Sequence, residues 1–276
     1  MNKQNKRHRR IRKFKDGTNF PGQHFMHRGL AKRLVEMAKI KPEDLVLDIG
    51  AGTGALTLPL ADKAGKVLAI ENDPVLAEKL QRKVAEKHNV TVIQQSILDM
   101  RLPRRPFCVV SSIPYSITTP ILRKLLDQPG PAFQWAVLVV EKGAAKRFTA
   151  VPVTDPRIMT WRMWFHIERG RTIPPQHFSP PPDVESSVLT VRRRHEPGVS
   201  LRHRARFAAL AAYCLKDPER PMDEALKGVF TPRQIKRLVK QLKIDRYAPI
   251  YSLSERQWEF VFHTMRQFVE PYRWPK

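Results

Sequence analysis

The sequence predicts an α/β protein built on a doubly wound, mostly parallel sheet, with a small all-helical domain after it. Apolar runs typical of buried strands alternate with helical patterns as far as residue 191. The first of these runs leads directly into a glycine-rich loop and then a helix, as in sheets that bind nucleotides. Only helical patterns follow the three arginines at 192–194, so the sheet is expected to end there.

The strands are predicted from short apolar runs rich in branched and aromatic residues, each bounded by turn residues. In chain order these runs are 45–49, 67–70, 90–93, 107–110, 134–140, 160–167 and 187–191. The glycine loop comes after the first run, and an acid, Glu71, comes after the second.

The helices are predicted from apolar residues at helical spacing and from residues that favour helix starts. In chain order they are 28–38, 56–61, 74–87, 120–126, 141–149, 201–215, 222–227, 232–242 and 255–269. Thr118 or Thr119 is expected to cap a helix with Pro120 in its first turn. Thr231 is expected to cap another, and the pair of Ser254 and Gln257 predicts a capping box.

The charge of the chain is unusual for a protein of 276 residues. It has 50 Lys and Arg residues against 26 Asp and Glu, a formal net charge of +24. Such an excess indicates a polyanionic partner, nucleic acid first and an anionic membrane surface second. Residues 1–19 carry no acid before Asp16 and form either a flexible arm that contacts phosphate or a solvated tail.

The cysteines and the lengths of the apolar runs indicate where in the cell the protein acts. Cys108 and Cys214 lie in a predicted strand and helix without metal-ligand spacing, so buried free thiols in a reducing compartment are expected. No apolar run is long enough to span a membrane, and no apolar segment follows the basic N-terminus as in a secretory signal. We expect a cytoplasmic monomer without a bound metal and without membrane contact.

The glycine loop indicates a nucleotide site. Gly50, Gly52 and Gly54 would let a ligand approach the backbone, and Glu71 is placed to accept both ribose hydroxyls of an adenosine. With Ala55, the loop also fits the variant G-x-G-x-x-A of NAD-dependent dehydrogenases. Asp48, the large positive charge and the motif after the fourth strand argue against a dehydrogenase.

That motif is the segment Ser-Ser-Ile-Pro-Tyr at 111–115. It follows a predicted buried strand, so its carbonyls, hydroxyls and Tyr115 ring lie at the edge where α/β sheets bind ligands. An exposed ring there could stack on a nucleic-acid base. Taken alone, the segment is better explained as a strand-ending turn with a half-buried tyrosine.

The motifs together resemble class I S-adenosylmethionine methyltransferases that act on an exocyclic amino nitrogen, and most closely the ribosomal RNA adenine N6-methyltransferases. Gln23-His24-Phe25 is similar to the Q-N-F segment of that family, and residues 178–187 to its F-x-P-x-P-x-V-x-S signature. Residues 254–258 are similar to a late helix of the same proteins. The resemblance covers roughly residues 20 to 260.

The resemblance implies a class I methyltransferase, Rossmann-like fold and S-adenosylmethionine as cofactor. It assigns residues 20–194 to the catalytic domain and leaves 195–276 as a helical RNA-binding domain. The residues implied for the cofactor are Gln23, His24, Phe25, Asp48, Gly50, Gly52, Gly54, Glu71, Ser96, Ile97 and Ser112. The residues implied for the target adenine are Ser112, Ile113, Tyr115 and Phe178, with Tyr115 and Phe178 stacking on its two faces.

The chain departs from the family pattern at two positions. Ser112 stands where most members have Asn, so the backbone carbonyl of Ile113 is expected to hold more of the target amino group. Ser96 stands where many members have Asp, so its hydroxyl or the Ile97 backbone is expected to contact the cofactor's adenine.

The Erm branch is the closer resemblance, through the segment Ile-Pro-Tyr-Ser-Ile-Thr-Thr at 113–119 and the basic arm before Gln23. It implies an adenine in the peptidyl-transferase loop of 23S rRNA as substrate and resistance to macrolides, lincosamides and streptogramin B. A housekeeping small-subunit rRNA dimethyltransferase and a non-catalytic RNA-binding factor on the same fold are the alternatives.

Overall fold

The computed structural model describes residues 23–128 and 130–276, so the basic arm 1–19 lies outside the described residues. The strands are β1 Phe25–Met26, β2 Leu45–Ile49, β3 Lys66–Glu71, β4 Val90–Gln94, β5 Phe107–Ser112, β6 Phe133–Glu141, β7 Phe165–Ile173, β8 Phe178–Ser179 and β9 Ser186–Arg193. The helices are α1 Arg28–Met37, α2 Thr57–Ala61, α3 Pro74–Lys83, α4 Thr118–Leu126, α5 Lys142–Phe148, α6 Pro156–Arg162, α7 Arg204–Cys214, α8 Met222–Ala225, α9 Pro232–Leu242 and α10 Glu255–Phe268.

Seven strands form one sheet in the order β4-β3-β2-β5-β6-β9-β7. The five strands from β4 to β6 are parallel, whereas β9 pairs antiparallel with both β6 and β7. The strand order reverses between β2 and β5, because β3 and β4 lie on one side of β2 and the later strands on the other. A reversal of this kind leaves a crevice at the carboxyl ends of the two strands, where ligands bind in such sheets.

The helical part packs onto the sheet through a cluster of aromatic rings. Phe207 of α7 contacts Trp164 edge-on at 6.2 Å between ring centroids, and also contacts Trp258 and Phe262 of α10. These residues are buried in the same hydrophobic core as the central strands. The tryptophans near residue 160 are therefore core residues, as their apolar neighbourhood in the sequence suggests.

Two local predictions were wrong. Residues 156–162 form α6 instead of the start of a strand, because the Asp155 side chain accepts hydrogen bonds from two backbone N–H groups of the first turn and Pro156 occupies its first position. The strand begins only at Phe165. The second error concerns α4, which neither Thr118 nor Thr119 caps, because both residues already belong to the helix. A 3-10 turn over Tyr115–Ile117 leads directly into α4, and Ile117, the residue before the helix, provides no side-chain cap.

The predicted helix caps at Thr231 and Ser254 and the two predicted buried thiols were confirmed. Thr231 and Ser254 each form a capping box, with Gln234 and Gln257 as the reciprocal partners. Cys108 and Cys214 are buried free thiols, and burial raises the pKa of each to about 12. Among residues 23–128 and 130–276, no helix combines the length and apolar character needed to cross a bilayer. The same residues contain no cluster of His, Cys, Asp or Glu side chains that could hold a metal ion.

Candidate methyl-transfer site

The glycine loop after β2 is shaped by three positive φ angles, +71° at Gly50, +54° at Gly52 and +88° at Gly54. A Cβ atom at Gly54 would lie only 2.6 Å from Cδ1 of Leu80, so the loop closes tightly against α3. A Cβ atom at Gly50 would lie 3.3 Å from Cδ of Pro114. The glycine loop and the proline turn after β5 are therefore in contact, as the neighbouring positions of β2 and β5 require.

Glu71 holds the glycine loop in place. Its Oε2 atom accepts a 2.7 Å hydrogen bond from the N–H of Gly52, and its Oε1 atom accepts one of 2.9 Å from the N–H of Asp73. The residue is only 7% exposed. A carboxylate has further lone pairs, so these contacts leave acceptor capacity for the ribose hydroxyls that the sequence predicts.

Asp48 lies beneath the loop, 1% exposed, and anchors α2. Its Oδ2 atom accepts a 2.7 Å hydrogen bond from the Thr57 hydroxyl. Burial raises the pKa of Asp48 to about 7, the Thr57 hydrogen bond opposes the rise, and the charge of Glu71 adds to it. The structure thus gives Asp48 a contact that supports the loop from inside.

The segment before α1 covers the glycine loop. The Phe25 ring reaches within 3.4 Å of a Cβ atom built on Gly52. Gln23 donates a 3.5 Å hydrogen bond from Nε2 to Asp73, whose other carboxylate oxygen caps α3. Among the described residues no protein group donates to the buried Oε1 atom of Gln23. A buried acceptor without a partner is costly, so this atom fits a polar ligand lying on the loop.

Two sequence motifs meet in a two-stranded antiparallel sheet. Met26 pairs with Phe178 and Phe25 with Ser179, and the N–H of His27 donates a 2.9 Å hydrogen bond to the His177 carbonyl. The pairing places the Phe178 ring in the hydrophobic core, where it is 2% exposed. Phe178 is therefore covered by the protein in this structure, and its stacking on the target adenine stays a prediction.

The second half of the site follows β5. The buried Ser111 hydroxyl accepts a hydrogen bond from Ile49 N–H and donates one to the Leu47 carbonyl, which fixes the end of β5 against β2. Ser112 ends the strand half-buried. The N–H of Ile113 donates to the Val139 carbonyl at 3.2 Å, and its side chain is buried, so this residue offers its carbonyl rather than its side chain.

Tyr115 is held at its hydroxyl and faced by a second ring. Its hydroxyl lies 2.6 Å from Oγ of Ser186, and burial raises the pKa of the phenol, with the Ser186 hydrogen bond opposing the rise. The ring of His24 lies nearly parallel to the tyrosine, with an interplanar angle of 25° and centroids 6.1 Å apart. Nδ1 of His24 lies 2.8 Å from the Pro180 carbonyl.

Ser96 and Ile97 lie at the end of β4, beside Glu71. The N–H of Gln95 donates to the Glu71 carbonyl, which brings the β4 end next to the acid. The Ser96 hydroxyl accepts a 3.2 Å hydrogen bond from the N–H of Leu98, and the Ile97 side chain is buried. The hydroxyl of Ser96 therefore caps a turn at the position where the sequence predicts a contact with adenine.

Four supporting residues received no role from the sequence. They are Thr57, Asp73, Ser111 and Ser186. Asp73 had a readable signal, because an Asp before Pro74 is a strong helix start. Ser111 and Ser186 lie within the motifs that the sequence analysis quotes, but those motifs do not reveal which groups the two hydroxyls contact. Thr57 is a single hydroxyl that no local pattern marks.

The arrangement joins a nucleotide-type loop to a polar, aromatic turn within one crevice. Comparison with known sequences decides its family. The family model described as ribosomal RNA adenine dimethylase matches residues 14–267. The chain belongs to this family. It is an rRNA adenine N6-methyltransferase with the class I methyltransferase fold that the sequence predicts.

Relatives within the family are similar over nearly the whole chain. Two proteins named rRNA adenine N-6-methyltransferase, from Bacillus licheniformis and Bacillus anthracis, are each 46% identical over 95% of this chain and 91% of their own length. The crystal structure of the 23S rRNA methyltransferase ErmE superposes with a TM-score of 0.78 at 26% identity, covering 88% of this chain and 100% of that chain. This likeness supports the Erm branch predicted from the sequence.

Proposed function

We propose that the protein transfers methyl groups from S-adenosylmethionine to the N6 atom of one adenine in the peptidyl-transferase loop of 23S rRNA. One or two methyl groups there would block macrolides, lincosamides and streptogramin B. The contact between Gly50 and Pro114 carries the proposal, because the glycine loop, which we assign to the cofactor, lies against the turn after β5, which we assign to the target adenine. The similarity to ErmE supports 23S rRNA as the substrate.

The residues around the glycine loop, the cofactor half of the crevice, fit S-adenosylmethionine. The cofactor supplies a methyl group already activated by its attachment to a sulfonium. The left-handed glycines would let the cofactor approach the loop backbone, and Glu71 would accept hydrogen bonds from its ribose. The Oε1 atom of Gln23, which has no donor among residues 23–128 and 130–276, would accept a further hydrogen bond. Ser96 would contact the cofactor's adenine. None of these groups needs a metal ion.

The turn at 112–115, the acceptor half of the crevice, would make the amino nitrogen of the target adenine a better nucleophile. The amino nitrogen of adenine shares its lone pair with the ring, so it attacks weakly while it stays planar. Hydrogen bonds from its two N–H groups to the Ser112 hydroxyl and the Ile113 carbonyl would favour the pyramidal form. Positioning can supply most of the acceleration once the methyl group is activated, so no general base is assigned.

The target base must leave its stack before it reaches the crevice, at a cost of roughly a few kcal/mol. Stacking on the Tyr115 ring would offset part of this cost, by about 1–3 kcal/mol for one aromatic face. The Ser186 hydroxyl would keep that ring in position, because it fixes the far end of the side chain.

The positive charge of the chain would bind the RNA backbone outside the crevice. The net charge of +24 supports this, and so do the exposed cations of α9 and its C-terminal cap. Those side chains are Lys236, Arg237, Lys240 and Lys243. We assign residues 195–276 this RNA-docking role and expect binding to weaken steeply as salt rises.

Incubation of the protein with purified 23S and 16S rRNA and labelled cofactor tests the proposal. The expected result is label at one adenine of the peptidyl-transferase loop of 23S rRNA, located by mass spectrometry of fragments, which also counts the methyl groups. Label in 16S rRNA alone would replace the proposal with the housekeeping activity. Absence of cofactor binding in calorimetry would indicate a non-catalytic RNA-binding factor.

A further inference from the structure

Glu141 ends β6 at the carboxyl edge of the sheet, beside the turn that we assign to the target adenine. Ser112 of β5 pairs with Val139, and Glu141 lies two residues further along the same strand. Side chains two residues apart point to the same face of a sheet, so Glu141 shares a face with Ser112. Diagonal neighbours of this kind are within reach of a long side chain. Glu141 therefore adds an acid to the crevice.

The same face of the sheet holds the hydroxyl end of Tyr115. Glu141 pairs with Ser186 of β9, and Oγ of Ser186 lies 2.6 Å from the Tyr115 hydroxyl. Burial raises the pKa of the Tyr115 phenol, the Ser186 hydrogen bond opposes the rise, and the charge of Glu141 adds to it. The acid thus lies close to the residues that we assign to the target adenine.

The carboxylate of Glu141 is half-buried and has no protein partner among residues 23–128 and 130–276. No group in that part of the chain donates a hydrogen bond to it, and no cation lies within 4 Å of it. The nearby carboxylate of Glu185, in contrast, is paired with Lys142 at 2.5 Å. Gly143 leaves room for the acid, because a Cβ atom there would lie 2.9 Å from Oε1 of Glu141. A partly buried anion without a partner suits a ligand that donates hydrogen bonds or becomes positively charged.

Methyl transfer moves a positive charge onto the adenine. The lone pair of N6 forms the bond to the methyl carbon, and the bond from that carbon to sulfur breaks with its electrons left on sulfur. N6 then carries the positive charge until it releases one proton, which leaves the neutral methylated base. An anion near N6 stabilises this charge as it develops in a crevice partly shielded from water. The Ser112 hydroxyl and the Ile113 carbonyl are neutral acceptors and cannot supply a full negative charge.

We propose that the Glu141 carboxylate stabilises the positive charge that N6 gains during methyl transfer and accepts the proton that N6 releases. The inference rests on the proposed methyl-transfer function and adds a third acceptor to Ser112 and Ile113. The carboxylate passes the proton to water, which restores its charge before the next transfer. The attack itself still needs no base, because the amino nitrogen already has a lone pair.

The test compares Glu141→Gln, Glu141→Asp and the control Glu185→Gln in single-turnover methylation, with the RNA and the cofactor both saturating. We expect Glu141→Gln to lower the rate constant about 10- to 100-fold, with the Kd values for RNA and cofactor within about twofold of wild type. Glu141→Asp should recover part of the loss, because it keeps the charge on a shorter side chain. Glu185→Gln removes a carboxylate that Lys142 already neutralises, so it should match wild type.

A double variant separates this role from an effect that acts through the tyrosine. Tyr115→Phe removes the hydroxyl near Glu141 and keeps the ring. Glu141→Gln should lower the rate by the same factor in the Tyr115→Phe background. A loss that disappears in that background would overturn the inference, and so would a wild-type rate for Glu141→Gln or an equal loss in Glu185→Gln. Thermal melting of each variant checks that it is folded.

The RNA that wild type methylates separates this inference from the proposed function. Label in 16S rRNA alone would overturn the proposed function, and the same variants would then test Glu141 on a fragment of that RNA. Methylation of 23S rRNA by wild type and by Glu141→Gln at equal rates would overturn this inference alone. A wild-type protein that transfers no methyl group to either RNA would overturn both.

Discussion

The hydroxyl of Thr57 donates a hydrogen bond to a carboxylate that lies entirely inside the protein, that of Asp48. The pair joins the end of β2 to α2 and supports the glycine loop from below. Burial disfavours the charged form of Asp48 by more than the neutral hydrogen bonds from Thr57 favour it, and the charge of Glu71 adds to the effect, so the pKa of Asp48 rises to about 7.

Asp48 therefore makes folding stability depend on pH. Its pKa rises from 3.8 to about 7 on folding, so the folded state binds the extra proton between these values. The contribution of this proton to the free energy of unfolding is at most about 4 kcal/mol. It is fully present below about pH 4 and is lost progressively as the pH rises to about 7. Asp48→Asn keeps an acceptor for Thr57 but removes the titration. Urea unfolding of both proteins from pH 4 to 8 should show the variant gaining relative to wild type as pH rises; parallel curves would contradict this.

Gly54 cannot carry a side chain. Its φ of +88° and the 2.6 Å approach of Leu80 to a built Cβ atom predict that Gly54→Ala destabilises the fold by about 1–3 kcal/mol or more. Gly29 is the matched control, because it lies in α1 with no atom within 4 Å of a built Cβ. Gly29→Ala should be neutral or stabilising by up to about 1 kcal/mol. Denaturant unfolding measures both, and equal effects would count against the close contact at the loop.

The ring of Tyr115 and its hydroxyl should contribute separately to the rate of RNA methylation. Tyr115→Ala is expected to lower kcat/KM for RNA by about 10- to 100-fold or more while cofactor affinity stays near wild type, because stacking is lost. Tyr115→Phe and Ser186→Ala each remove one hydrogen bond of 2.6 Å and should cost about tenfold or less. The double variant Tyr115→Phe, Ser186→Ala should cost no more than either one alone. Single-turnover methylation gives these values, and full activity of Tyr115→Ala would exclude the stacking role.

Glu255 balances two arginines between the sheet and α10. Arg194 donates to its Oε2 atom, and a guanidinium nitrogen of the buried Arg162 lies 3.8 Å from Oε1. Burial lowers the pKa of Arg162, and Glu255 opposes that effect. Glu255→Gln should destabilise the protein by about 2–4 kcal/mol, because it leaves two cations without a counter-charge. The exposed Glu219→Gln should change stability by less than about 0.5 kcal/mol in the same urea titration. Similar midpoints for both variants would show that the bridge contributes little.

Much of the fold could be predicted because its strands are apolar runs bounded by turns, and because the glycine loop marks the end of β2. The apolar run at 160–167 was predicted as one strand although its first residues belong to α6, because a buried helix and a buried strand are equally apolar. The decisive signal was the Asp155–Pro156 helix start, which precedes the run.

The composition of the candidate site could be predicted, but its contacts could not. The sequence identifies the glycines, Glu71 and Tyr115 as parts of one crevice. It does not say whether Phe178 or His24 faces the tyrosine, since this depends on the pairing of two strands of two residues each. Such short strands have no periodicity from which to read a face. The contacts of Ser111 and Ser186 could not be predicted either, because their partners lie far away in the sequence, in β2 and in the 3-10 turn Tyr115–Ile117.

The three consecutive residues before Met26 serve both halves of the crevice. Gln23 and Phe25 lie toward the glycine loop, and His24 lies on Tyr115. A ligand that moves the segment 23–26 at one half of the crevice also moves the residues that this segment presents to the other half. Cofactor and RNA affinities should therefore be thermodynamically linked, each ligand changing the affinity of the other by the same factor. The segment 23–26 would then act as the coupling element between methyl donor and acceptor.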